Sequence, residues 1–147
     1  MPAVDSRFDR LSLVVLAGSY DRVHYALAMA AAALAANRQV TLMFTMGACR
    51  ALLAADGAGP GWRHLAAGED GQPPLAADAQ RQSRGVGGFE ELLAAVVALG
   101  GDVMVCEMGM RSVGLEAAAL RDDVPLTTGG LVTFLTEVTA QGLVTVV

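Results

Sequence analysis

Apolar positions in this chain fall in short runs divided by glycine and charged residues. Residues 11–17 (LSLVVLA) form an almost continuous apolar stretch closed by Gly18, the pattern of a strand buried on both faces. Asp21 then caps an alanine-rich helix predicted to run to Ala36, with Asn37 as its stop. Its apolar residues spread beyond one stripe, so contact on more than one side is expected. A second strand is predicted over 39–45 (QVTLMFT), followed by a short helix over 48–55. The run FEELLAAVVAL, from Phe89, predicts a helix with Glu90 and Glu91 in its first turn, where the helix dipole favours them. Gly100 and Gly101 end it, and 102–106 (DVMVC) reads as a third strand. Beyond that point the pattern predicts a helix over 112–120, capped by Ser112 or started near Gly109. A turn over 122–125, a helical segment over 130–139 and a last strand over 143–147 follow.

Residues 56–88 break this rhythm. They are rich in glycine and proline and read as a long flexible insertion with a short helix near 75–82. Residues 1–10 are polar and expected to fray. The order β-α-β-α-loop-α-β-α-α-β implies a single α/β domain over 1–147. Its expected form is a three-layer sandwich: a mostly parallel sheet of about four or five strands, helices on both faces, and right-handed crossovers. In such sheets ligands and chemistry collect at the carboxyl ends of the strands.

Composition narrows the function. The chain is 54% hydrophobic with a mean hydropathy of +0.47, which raises the question of a membrane. The longest apolar run, 23–36, is interrupted by His24 and is mostly alanine, short of the ~20 residues a span needs. No span is predicted; the hydropathy reads as a buried core plus a surface that meets other subunits. A net charge of −5 argues against nucleic-acid binding by charge. Every cationic side chain is arginine, which excludes Schiff-base and P-loop lysine chemistry. Two cysteines, Cys49 and Cys106, are too few for a disulfide framework. Asp5, Arg7, Asp9 and Arg10 precede the first apolar run, so no secretory signal is read and a reducing cytoplasm is the expected location.

Cys106 ends a predicted buried strand and leads into a helix. Backbone N–H groups at that helix start would favour a thiolate, and Arg111 would add positive charge. The other reading is a buried, inert cysteine. Cys49 holds a comparable place after the second strand. With the first strand central, the strands ending near 45 and 106 would flank it about 10 Å apart, too far for a disulfide without bending of the loops. Met46, Met108 and Met110 lie at the same predicted edge; with the cysteines they form a Cu(I)-type ligand set, or else line an apolar pocket or subunit interface. His24 and His64 are isolated and lack metal-ligand spacing. No G-x-G-x-x-G, G-x-S-x-G or H-E-x-x-H motif is present, and neither a cofactor nor a metal is predicted.

The stretch Cys106-Glu107-Met108-Gly109-Met110-Arg111-Ser112-Val113-Gly114-Leu115 resembles the cysteine motif of DsrE/DsrF-like sulfur-relay proteins, one branch of which reads C-x-M-S-M-x-x-x-G-[IL]. The likeness extends back through the preceding helix and strand and forward through Gly129 and Gly130, leaving out 56–88. Gly109 departs from the motif, which has serine there. The resemblance implies a small α/β domain, assembled into trimers or hexamers, that carries sulfane sulfur as a persulfide on Cys106. It would take that sulfur from a donor protein and pass it to an acceptor thiol, as a sulfurtransferase or carrier. Met108, Gly109, Met110, Arg111, Met46 and Cys49 are then the candidate pocket residues. Two alternatives stand beside it: a non-catalytic assembly or small-ligand-binding subunit on the same fold, and a soft-metal or thiol-redox protein using Cys49 with Cys106.

Overall fold

The computed structural model describes residues 7–147. Strand β1 (Arg10–Val15) leads through helix α1 (Tyr20–Ala35) to β2 (Gln39–Phe44) and a 3-10 segment, Met46–Leu52. A second 3-10 turn, Gly61–His64, precedes α2 (Pro74–Ser83), α3 (Phe89–Ala98) and β3 (Asp102–Cys106). The chain closes with α4 (Glu107–Ser112), a 3-10 turn at Ala117–Ala119, β4 (Thr127–Gly129), α5 (Leu131–Thr136) and β5 (Leu143–Val146). All strand pairs are parallel, in the order β4-β3-β2-β1-β5, with helices on both faces.

Period-two alternation divides the sheet residues between two layers. Leu11, Leu13, Val15, Val40, Leu42, Phe44, Val103 and Val105 share one large core with Val23, Ala26, Leu27 and Ala30 of α1 and with Phe89, Leu93 and Val96 of α3. The α1 residues recur at helical spacing, which is why one stripe of that helix meets the sheet. Each leucine, valine or phenylalanine buried this way contributes about 1.5–3 kcal/mol. On the opposite face Met43, Met104 and Cys106 form a separate small cluster with Phe134 of α5.

Several sequence expectations are corrected. The strand at the centre of the sheet is β2, not β1: β5 takes the outer edge of β1, and β3 adds to the free side of β2. The strands ending near 45 and 106 are therefore direct neighbours, one strand spacing of about 4.8 Å apart rather than two. The helix expected over 112–120 lies earlier. It starts at Glu107, and Ser112 sits at its end, donating from Oγ to the Met108 carbonyl at 2.8 Å. Gly114, with φ of +73°, and the Leu115 N–H bond to Met110 O close the helix before residues 117–119 turn again. Strand β4 has no counterpart in the predicted order, because a three-residue, solvent-facing edge strand of Thr-Thr-Gly carries no hydrophobic signal. Arg10 already pairs with Gln39 in β1, so fraying stops before it; the part of that expectation on residues 1–6 lies outside the described residues.

The 56–88 segment packs on the α1–α3 side. Trp62 stacks on Phe89 at 5.0 Å between ring centroids and lies 5.7 Å from Tyr20. Buried Asp78, on α2, accepts hydrogen bonds from the Tyr20 hydroxyl, Gln82 Nε2 at 2.7 Å and the Phe89 N–H at 2.7 Å. His24 Nε2 lies 2.8 Å from the Gly87 carbonyl oxygen. This is the second side on which α1 makes contact. Among the described residues, no helix is long and apolar enough to cross a membrane.

Candidate functional site

The carboxyl edge of the sheet is built from three tight chain reversals. After β1, Gly18 approaches Gly47 so closely that a Cβ on Gly18 would lie 3.0 Å from its backbone. After β2, Met46 takes a left-handed conformation (φ of 51°), uncommon for a residue with a side chain. After β3, the chain enters α4 with no connecting loop, and Cys106 is at once the last strand residue and the helix N-cap.

Gly109 makes this junction possible. A Cβ on it would stand 2.2 Å from Thr45 Oγ1 and 2.5 Å from the Met46 nitrogen, well inside any real contact. The first turn of α4 is thus seated directly on the end of β2, and the serine of the resembled motif has no room here. Its departure to glycine follows from the packing of the neighbouring strand.

Cys106 itself is 1% exposed. Its companions are Met43, Met104 and Phe134, with Val14 packed alongside. The thiol makes no capping hydrogen bond to the α4 amides. The expected support of the Cys106 sulfur by the α4 amides is therefore not made in this conformation, and the sulfur is closed off beneath α5. That cover is slight. Phe134 is the single buried residue of α5, while Leu131, Val132 and Leu135 face outward.

The remaining predicted residues divide. Met110 is buried in the large core, Met108 is 58% exposed, Arg111 and Glu107 are exposed on α4, and Met46 is half-buried. Glu107, Met110, Arg111, Glu116 and Thr128 line a cleft of about 380 Å³ beside α4. Cys49 belongs to the large core, with Sγ 3.7 Å from the Phe44 carbonyl that accepts its hydrogen bond. Burial, and next the nearby Cys106, push the Cys49 thiol up to about 11. Both cysteines are free. Among the described residues no group of three or more His, Cys, Asp or Glu side chains could hold a metal ion.

The sulfur-bearing neighbours of Cys106 are Met43 and Met104, which sequence reasoning passed over in favour of methionines closer in sequence. The signal was present: Met104 lies two residues before Cys106 on β3, and Met43 is its register partner on β2. Thr45, one step beyond the paired part of β2, was missed for the same reason.

An α/β sandwich with a cysteine at a strand-to-helix junction on its carboxyl edge is the class this geometry defines. The model of the DsrE/DsrF-like family matches residues 10–142, and the chain belongs to that family. Among solved structures it is similar to the ychN protein from E. coli, with a TM-score of 0.51 and 17% identity over 92% of this chain and 99% of that one. At that identity the likeness concerns the fold. A comparison with curated proteins gives no match.

Proposed function

We propose that the protein is a sulfur carrier that holds sulfane sulfur as a persulfide on Cys106. The Cys106 thiolate attacks the terminal sulfur of a donor persulfide; the donor S–S bond breaks, and the donor leaves as a thiolate. An acceptor thiolate then attacks the same terminal sulfur and releases Cys106. Each step exchanges one S–S bond for another, so no external oxidant or reductant is needed.

The observation that carries this reading is the placement of Cys106, in a DsrE/DsrF-like chain, at the β3–α4 junction among Met43, Met104 and Phe134. An apolar, closed chamber shields a reactive sulfur from water and stray oxidants. Loading and unloading then require Phe134 to move aside. The burial of Cys106 also fits a non-catalytic assembly subunit on the same fold, and one experiment separates the two. The protein is incubated with inorganic polysulfide and weighed intact. The carrier reading predicts a gain of about 32 Da per sulfur, reversed by an acceptor thiol and absent in Cys106→Ser. An adduct that persists unchanged in Cys106→Ser, or no adduct in the wild type, removes it.

The working unit in this reading is a homo-oligomer, a trimer or hexamer, in the cytoplasm. Support comes from Leu131, Val132 and Leu135 on α5 and Leu143, Val144 and Val146 on β5, all large apolar side chains facing outward. Light scattering at micromolar concentration is expected to give a multiple of the chain mass; a monomer would contradict the assembly.

A further inference from the structure

We propose that the α5 side of the sheet docks against the same side of a second copy of this chain, and that the contact holds α5 down over Cys106, so that the sulfur is reached when the copies part. The inference rests on the homo-oligomer reading and gives that assembly a place and a consequence.

A parallel sheet is normally covered on both faces, because its strands are apolar on both. Here one face lies under α1 and α3. The other is met by the six-residue α5, whose Phe134 closes the small cluster of Met43, Met104 and Cys106. Between Arg111 and Val147 the single buried residue is Phe134, so this whole final stretch gives the sheet little cover. Apolar side chains are left in water as a result. On α5, Leu131, Val132 and Leu135 are 43%, 77% and 56% exposed. On β5, Val146 pairs with Val14, which packs against the Cys106 cluster; Val144 (45%) and Val146 (60%) therefore face the same way.

Area and charge name the occupant. These five side chains expose roughly 300–500 Å² of apolar surface, as much as the largest patch on an ordinary monomer. That is close to the apolar share of the ~800 Å² each partner buries in a stable interface. Neither α5 nor residues 143–147 carry a charged side chain, in a chain of net charge −5. Two such chains repel one another over most of their surfaces, and approach most easily through a face without charge. The matching surface must also be apolar and broad. Tyr25, Leu75 and Met108 each stand alone on a different helix, and Val86 and Leu99 lie in separate connections. The surface that fits is this one again, on a second copy, and a contact of like with like joins copies in pairs.

The contact reaches the thiol through α5. In a single chain that helix is held to the sheet by one buried side chain. With its outer side chains packed on a partner, lifting it breaks the interface as well, which ties opening of the chamber to dissociation.

The test substitutes Val132, whose exposure lets a folded single chain accept a charge. Wild type, Val132→Glu and a control on α1, Tyr25→Glu, are compared by light scattering at micromolar concentration, by circular dichroism, and by the rate at which iodoacetamide alkylates Cys106. Wild type and Tyr25→Glu are expected to form the same even-numbered assembly and to label alike. Val132→Glu is expected to be folded, to have half that mass or less, and to label about tenfold faster or more. A Val132→Glu protein of wild-type mass overturns the docking face, and one that dissociates yet labels at the wild-type rate overturns the closure of the thiol. An odd-numbered wild-type assembly, or dissociation of Tyr25→Glu, also overturns the inference while the homo-oligomer reading stands. A monomeric wild type overturns that reading and the inference with it. Where Val132→Glu does not fold, Leu135→Glu takes its place and is held to the same outcomes.

Discussion

Replacing Phe134 with alanine removes the cover over Cys106 and leaves the sheet beneath it in place. Phe134 is 1% exposed, whereas Leu131, Val132 and Leu135 of the same helix are 43%, 77% and 56% exposed. Attachment of α5 to the sheet therefore reduces to burying one phenyl ring, about 1.5–3 kcal/mol. A local opening of that free energy uncovers the thiol in roughly one molecule in ten to one in a hundred. Phe134→Ala abolishes most of that restraint, so the rate of Cys106 alkylation at fixed pH is expected to rise about tenfold to a hundredfold. Iodoacetamide labelling followed by intact mass gives the rate, and far-UV circular dichroism shows that the variant is folded. Phe134→Leu, which keeps an apolar plug, is expected to fall between. A folded Phe134→Ala protein that labels at the wild-type rate would refute the reasoning, since Cys106 would then be reached by another route.

Further outcomes follow from the same contacts. Gly109→Ser, which restores the residue of the resembled motif, drives a Cβ against Thr45 Oγ1 and the Met46 backbone, and is expected to destabilise the fold by about 1–3 kcal/mol; a urea midpoint equal to wild type would contradict the packing. Cys49 has its thiol raised from 9.0 to about 11, so the folded state holds that proton more tightly than the unfolded chain. Its contribution to stability is complete below pH 9 and is lost as pH rises through 11. Unfolding free energy measured across that window is expected to fall less steeply in Cys49→Ala, and equal slopes would exclude the assignment. Tyr20→Phe deprives buried Asp78 of one of its three donors and is expected to cost about 1.5–3 kcal/mol and speed proteolysis within 56–88. Unchanged stability and cleavage would mean that this hydrogen bond does not hold the segment.

The parts of this molecule that local pattern determines were readable from the sequence. DVMVC announces a buried strand that ends on a cysteine, because an apolar run is a signal within a few residues, whereas the start of the following helix at Glu107 carries no capping side chain and was placed too late. The order of the strands was not readable. Which strand joins the free edge of β1 is decided by residues 143–146, far along the chain, and nothing in residues 11–17 encodes it. That one error separated Cys49 and Cys106 by a strand too many. Met43 and Met104 were within reach, since alternation puts them on the face of Cys106 once the β2–β3 register is known. The fit of Gly109 over Thr45 was not, because it depends on two elements packed at their ends. Nor was the tie between Tyr20 and Asp78, which lie 58 positions apart. Burial of Cys106 turns on a single phenylalanine in a six-residue helix, too short a segment for its pattern to reveal.

Cleavage at arginine separates the two cysteines, giving a peptide 39–50 with Cys49 and a peptide 85–111 with Cys106. Loading the folded protein with polysulfide, trapping with iodoacetamide and mapping both peptides by mass asks directly where sulfur is held. The added sulfur is expected on the 85–111 peptide, with 39–50 unchanged. Sulfur on 39–50, or on neither, would contradict the assignment of Cys106 as its carrier.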